Sequence, residues 1–214
     1  ILILIFYWNF NLKNKLLLIF FSSLIFYGFW KIEFIPVLLL SIFIDFFASK
    51  KIHNTKSKKL KKKYLIFSIF TNLSLLGFFK YFYFLYDNGS NILSLFGVDL
   101  LPIEFKILLP IGISFYTFQS ISYTVDVYRG KIKPENNFLI FSNYVIFFPQ
   151  LVAGPILRAN EILWQFKKKK NFNLYNLNSG IKRIVFGLFL KIVLADNISK
   201  FVDQGFLISP NLLS

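Results

Sequence analysis

Residues 107–127 read Ile-Leu-Leu-Pro-Ile-Gly-Ile-Ser-Phe-Tyr-Thr-Phe-Gln-Ser-Ile-Ser-Tyr-Thr-Val-Asp-Val. About 20 apolar residues in a helix cross a hydrocarbon core of roughly 30 Å, and this stretch has the length. It is not uniformly apolar. At 100° per residue, Gly112, Tyr116, Gln119, Ser122, Tyr123 and Asp126 fall within one sector, and Ile113, Phe118, Ile121 and Val125 lie away from it. The pattern predicts a helix with one face for lipid or packing and a polar stripe bordering protein or a wet cavity. A stripe that only holds helices together would look the same. Asp126, near the helix end, is costly unless paired, since insertion scales charge roughly 2.5–3.5 kcal/mol for an Asp at mid-bilayer. Arg129, three residues on, is the expected partner.

Further apolar runs flank this one. Residues 16–30, 34–48, 64–86 and 184–195 are candidate spans, and 1–8 reads as part of another. The 214 residues are 56% hydrophobic and 21% aromatic with a mean hydropathy of +0.58, yet Lys+Arg 25 against Asp+Glu 10 leaves a net charge of +15. Soluble basic proteins rarely combine these values, so the composition points to a membrane protein. Without Cys, disulfide scaffolds, Cys-based zinc sites and thiol nucleophiles are excluded, and the redox compartment cannot be read. There is no Met, even at position 1, so the sequence is expected to be a piece of a longer protein. Phe 30, with 22 Lys against 3 Arg and 17 Asn against 4 Ala, suits an A/T-rich coding bias. Where Lys is the default cation, Arg129, Arg158 and Arg183 are expected where a planar, bidentate donor is needed.

The loops give an orientation. Residues 49–63 carry eight lysines and no acid, whereas 87–106 hold Asp87, Asp99, Glu104 and only Lys106. Basic loops favour the cytoplasm, which puts 49–63 inside and 87–106 outside. Residues 129–135 return inside, and 156–183 are basic again. If both flanks of 138–155 are cytoplasmic, that apolar run cannot cross. It is expected to be re-entrant, turning at Pro149 and Gly154-Pro155, and non-helical backbone at that depth needs protein or a wet cavity around it. The lysines sit at span ends, where topology and anionic headgroups explain them, so nucleic acid is not an expected partner. Lys167 to Lys170 follow Ile162, Leu163, Trp164 and Phe166, as in an interfacial amphipathic segment.

Other polar residues have plain readings. Asp45 would be neutralised by Lys50 or Lys51, and Lys80 would snorkel to the outer headgroups. Arg183, Gly187 and Lys191 share a face, followed by Asp196. His53, the single histidine, reads as an ordinary residue of the lysine-rich loop. No Gly-rich phosphate loop, metal-ligand cluster or paired catalytic carboxylates appear. On residues alone the reading is an all-α polytopic membrane protein, one transmembrane domain over 1–214, with a polar intramembrane surface.

Two longer strings resemble one family. Residues 110–130, Pro-Ile-Gly-Ile-Ser-Phe-Tyr-Thr-Phe-Gln-Ser-Ile-Ser-Tyr-Thr-Val-Asp-Val-Tyr-Arg-Gly, look like the signature of the membrane-bound O-acyltransferases (MBOAT), nearest to the alginate O-acetyltransferase branch. Residues 147–158, Phe-Phe-Pro-Gln-Leu-Val-Ala-Gly-Pro-Ile-Leu-Arg, resemble the second signature of that branch. Phe26-Tyr27-Gly28-Phe29-Trp30, Asp45-Phe46, Phe79-Lys80-Tyr81, Gly187-Leu188-Phe189-Leu190-Lys191 and Ala195-Asp196-Asn197 follow in family order. The resemblance implies a partial helical ring or funnel in the bacterial inner membrane, with a re-entrant segment. It implies transfer of an acyl group, usually acetyl, from a cytoplasmic thioester such as acetyl-CoA to hydroxyls of an extracytoplasmic polysaccharide, alginate-like or peptidoglycan. A periplasmic acetyltransferase partner is implied as well; no resident cofactor or metal is. By motif position, Gln119, Tyr123, Asp126, Arg129, Gln150 and Arg158 would line or brace the tunnel, with Arg158 as a cytoplasmic contact for an anionic donor or lipid. The family's catalytic histidine lies C-terminal to the Ala-Asp-Asn segment; His53 does not match it. This chain alone is therefore expected to be inactive. A non-catalytic transport or scaffold component is the competing reading.

Overall fold

The computed structural model describes residues 2–98, 107–152 and 154–207. Regular structure among them is helical throughout: α1 (Leu2–Asn9), α2 (Leu12–Gly28), α3 (Ile35–Asn54), α4 (Lys58–Ser94), α5 (Ile113–Tyr128), α6 (Phe138–Ile146), α7 (Phe148–Leu151), α8 (Ala159–Lys167), α9 (Leu174–Phe189) and α10 (Asp196–Leu207). A 3-10 turn over Ile32–Phe34 leads into α3, and a π-helical stretch over Leu190–Ala195 joins α9 to α10. The chain divides into two compact units, Ile1–Lys169 and Lys170–Ser214.

Helix ends follow local chemistry. Asn11 caps α2 by accepting from Asn14 N, and Asn137 caps α6 by accepting from Leu139 N and Ile140 N. Pro36 stands in the first turn of α3, where its missing N–H costs nothing. The lysine-rich stretch expected as a loop over 49–63 is mostly helix. Lys, Ser and Ile let α3 run on to Asn54, and α4 starts at Lys58 under a Ser57 cap, so only three residues connect them. His53 accordingly lies exposed in the last turn of α3.

Among the described residues, two helical segments are long and apolar enough to cross a membrane: Ile32–Asn54, 23 residues, and Lys58–Ser94, 37 residues. The expected span 107–127 is shorter than read. Residues 107–110 are non-helical and Gly112 sits at φ +70°, so the helix starts only at Ile113 and runs 16 residues, about 24 Å at 1.5 Å per residue. The loop positions Asp99, Glu104 and Lys106, with Ile1 of the first candidate span and Ala153 of 138–155, lie outside the described residues.

In the first unit, α3, α4 and α5 pack on one another, while α6 packs on α2, α3, α5, α7 and α8. Residues 140–146 of α6 are all buried, so this nine-residue helix, about 14 Å long, is enclosed on every side. Phe141 stacks among Phe46, Tyr123 and Tyr144, with ring centroids 4.7 Å from Tyr123 and 5.9 Å from Phe46. In the second unit, α9 has no buried residue, and Lys191 donates to Asp196 across the π-helical stretch, whose wider turn sets residues five apart one above the other.

Candidate functional site

Three polar stripes meet where α3, α4 and α5 touch. Ser41, Asp45 and Ser49 recur every fourth residue on α3, Ser68 and Asn72 do the same on α4, and Ser120 and Thr124 on α5. All seven are buried. Small side chains let helix backbones approach, and polar ones then bond across the gap. Ser68 Oγ donates to Asp45 Oδ1 at 2.6 Å, and Asn72 Nδ2 donates to Asp45 Oδ1 and Oδ2 at 2.9 and 3.0 Å. Ser41 Oγ donates to Asn72 Oδ1 at 2.7 Å, which fixes the amide with its NH2 toward the carboxylate. Asp45 is thus not neutralised by the nearby lysines: Lys50 Nζ donates to Asn136 O at 3.2 Å and lies 4.1 Å above the Phe46 ring. A carboxylate with 0% exposure is satisfied here by hydroxyl and amide donors instead of a cation. The four-residue spacing of small polar residues in two apolar runs was the available signal for this cluster.

The buried face of α5 differs from the expected stripe. Tyr116, Thr117, Gln119, Ser120, Tyr123 and Thr124 are buried together with Ile113 and Val127, whereas Ser122 and Asp126 are only half-buried. The stripe is rotated toward α3 and α4 because Ser120 and Thr124 carry the contact there. Ser68 Oγ, for example, lies 3.4 Å from Thr124 Oγ1.

A second polar cluster ties α5 to α6 and α7. Gln119 Nε2 donates to Tyr144 O at 2.6 Å, and Gln150 Nε2 donates to Gln119 Oε1 at 3.1 Å and to Pro155 O at 2.8 Å. Tyr144 Oη donates toward Leu157 O at 3.3 Å. Asn143 Nδ2 and Ser23 Oγ extend the cluster to α2, through Leu16 O at 2.9 Å and Phe148 N at 3.2 Å. Among the described residues Asn143 Oδ1 and Gln150 Oε1 are buried acceptors without a hydrogen-bond donor. Two glycines make this junction possible. A Cβ on Gly112 would stand 2.6 Å from Leu151 O, in a left-handed backbone, and one on Gly154 would stand 2.7 Å from Gln150 Cα.

The third cluster closes the end of α5. Tyr123 Oη accepts from Glu135 N at 2.8 Å and from Ser49 Oγ at 3.4 Å. Glu135 is 5% exposed; its Oε1 accepts from Asn136 N and Asn137 N, and Lys167 Nζ sits 2.7 Å from its Oε2. Glu135 was not singled out in the sequence, since its worth depends on Tyr123 and Lys167, which are distant along the chain. Asp126 pairs with Lys131 at 3.8 Å, not with Arg129, because the turn at Gly130 (φ +72°) swings the chain back over Asp126. Arg129 is exposed, as is Arg158 at the N-cap of α8.

The structure therefore brings Gln119 and Gln150 into direct contact, places Tyr123 one turn away in the Glu135 cluster, and leaves Asp126, Arg129 and Arg158 at the edge. Lys133, Asn160, Trp164 and Lys167 border a groove of about 300 Å³ beside α8; Arg158 is not part of its lining. Among the described residues no three His, Asp or Glu side chains converge on a metal position.

The pattern of the membrane-bound O-acyltransferase family (MBOAT) matches residues 133–214. The chain is 36% identical to the peptidoglycan O-acetyltransferase of Helicobacter pylori over 211 aligned residues, which cover 86% of this chain and 39% of that protein. It is 34% identical to the probable alginate O-acetylase AlgI of Pseudomonas aeruginosa, covering 91% of this chain and 37% of the relative. The corresponding protein of Azotobacter vinelandii is also 34% identical, with 92% and 39% covered. The chain thus spans about two fifths of the length of these curated relatives. No solved structure matches it. Signature strings over α5 and over α7 with the turn after it, a family pattern over the C-terminal part and similarity along most of the length agree: the chain belongs to the membrane-bound O-acyltransferase family.

Proposed function

We propose that this chain forms the N-terminal part of a multi-pass inner-membrane O-acyltransferase. In this reading it moves an acetyl group from a cytoplasmic thioester, acetyl-CoA or a carrier-bound equivalent, to hydroxyls of an extracytoplasmic polysaccharide. The single observation that carries the proposal is the similarity, over most of the chain, to proteins named as O-acetylating alginate or peptidoglycan. The geometry supports it in two ways. An enclosed α6 too short to cross, followed by a break at Phe147 and the Gly154-Pro155 turn, suits a segment that enters and leaves on one side. The Gln119–Gln150 lock holds that segment against α5, which gives a tunnel a rigid wall.

Acyl transfer needs a base near neutral pKa to take the acceptor proton and donors to meet the developing oxyanion. The hydroxyl oxygen attacks the thioester carbonyl, and the thiolate leaves and takes up a proton. His53, exposed at the end of α3, is badly placed for the first task. In this reading the base is the histidine that the resemblance implies, C-terminal to the Ala195-Asp196-Asn197 segment. Gln119, Tyr123, Gln150 and the Asp126 end of α5 brace the wall, and Arg158 meets the donor's negative charge from the cytoplasmic side.

The test is complementation. The full-length protein, placed in a strain lacking polysaccharide O-acetylation, should restore base-labile acetate on the exopolysaccharide or on peptidoglycan, with a periplasmic acetyltransferase co-expressed in one arm. Acetate on neither polymer, with the protein in the membrane, sinks the proposal. Arg158→Lys should raise the apparent KM for donor about tenfold, since a point charge replaces a bidentate one; an unchanged KM removes the donor contact.

A further inference from the structure

The faces of α3 and α4 that do not carry the polar stripes form a trough of about 400 Å³. Its α3 wall is the row Phe43, Phe47, Lys51, four residues apart; its α4 wall is Lys63, Tyr64 and Phe67. The row on α3 rises about 12 Å along the helix. One end of the trough is aromatic, with the Phe43 and Phe47 rings 4.4 Å apart and Phe43, Phe47 and Phe67 about half exposed. The other end, at the short α3–α4 connection, carries Lys51 and Lys63. Unlike Lys50, neither makes a hydrogen bond or ion pair with another described residue, and no acid lines the trough.

We propose that this trough is a binding site for one anionic glycerophospholipid of the adjoining leaflet, its phosphate between Lys51 and Lys63 and an acyl chain along Phe43, Phe47 and Phe67. The inference rests on α3 and α4 crossing the bilayer, as read above. Among the described residues the two helices that form the walls are the ones long and apolar enough to do so, which places the aromatic end at acyl-chain depth and the lysines at headgroup level. Cations confined to one end of an otherwise apolar trough match a ligand with one charged and one hydrocarbon end. Two ammonium groups with no acid between them favour an anionic headgroup over a zwitterionic one. Tyr64 adds a hydroxyl donor at the same level.

The experiment uses the full-length protein in nanodiscs of phosphatidylcholine with increasing phosphatidylglycerol, reading retained lipid by native mass spectrometry. One phosphatidylglycerol per chain should be retained in preference and saturably. The double variant Lys51→Gln/Lys63→Gln should weaken that retention by about tenfold or more. Lys61→Gln/Lys62→Gln removes equal charge from the same helix start outside the trough and should leave retention unchanged. Equal loss in both variants, or equal retention of the two lipids, overturns the site. If the glutamine variants do not fold, a photoreactive phosphatidylglycerol on the unmodified protein decides: labelling within 43–51 and 63–67 supports the site, and labelling only elsewhere overturns it. A disulfide between two copies of a Phe47→Cys variant in the membrane, at the expense of lipid, gives the trough to a second chain and also overturns it. Extraction by alkaline carbonate without detergent would instead show that α3 and α4 do not span the membrane.

Discussion

α6 is apolar with a few polar residues in its middle, whereas α9 mixes apolar residues with Asn176, Asn178, Lys182 and Arg183. In α6 every residue from 140 to 146 is buried, and the polar ones are engaged: Asn143 donates to Leu16 O, Ser142 to Phe138 O, and the backbone of Tyr144 receives Gln119. In α9 no residue is buried, and Ile184 and Phe186 are more than 60% exposed. Apolar composition states only that a helix needs an apolar neighbour. Polar atoms decide which neighbour, since lipid cannot satisfy them and protein can. In α6 the mid-helix Asn, Ser and Tyr find protein partners and the helix is enclosed; in α9 Asn176, Asn178, Lys182 and Arg183 lie exposed among exposed apolar side chains.

The contrast can be attacked from its strongest side. Phe141→Ala removes a ring packed against Phe46, Tyr123 and Tyr144 and should cost about 3–5 kcal/mol, as a cavity that its neighbours cannot close. Thermal unfolding in detergent reads this as a large fall in midpoint; a fall of only a degree or two would mean that α6 is not the packed centre. Asp45→Leu strands the donors of Ser68 and Asn72 in the α3–α4–α5 junction and should cost about 3 kcal/mol. Protease susceptibility of the α3–α4 connection should rise with it, and Asp45→Asn, which keeps the acceptor, should recover part of the loss. At the small end, Phe186→Ala on α9 should change stability of this 214-residue chain by less than about 0.5 kcal/mol, because nothing within its unit covers the ring. A loss as large as that of Phe141→Ala would reverse the comparison.

Local signals carried some positions far and others not at all. Pro110 and Gly112 stand in the stretch read as one span, and they are the residues that shorten it; the span rule counted hydropathy and missed backbone conformation. The polar stripe on α5 was legible as a period but drawn off its true face, since 100° steps fix relative angles and not which angle meets a neighbour. Gln119 was legible as a member of the α5 stripe, and Gln150 only through the resemblance of its string. The contact between them requires Gly112 to lie against Leu151. Asp45 was given to the wrong partners because Lys50 and Lys51 are near in sequence, whereas its donors come from α4, 23 and 27 residues away.

By itself the sequence determined what depends on composition and on residues within a turn or two: helices, caps, the apolar character of a membrane-bound family and membership of that acyltransferase family. Tertiary structure alone decided which buried groups answer one another. Hydrogen bonds such as Asn72 to Asp45, Gln150 to Gln119 and Glu135 N to Tyr123 join groups 12 to 31 residues apart. A buried polar atom takes whichever partner the packed helices bring within about 3 Å, and no periodicity along one helix encodes that choice.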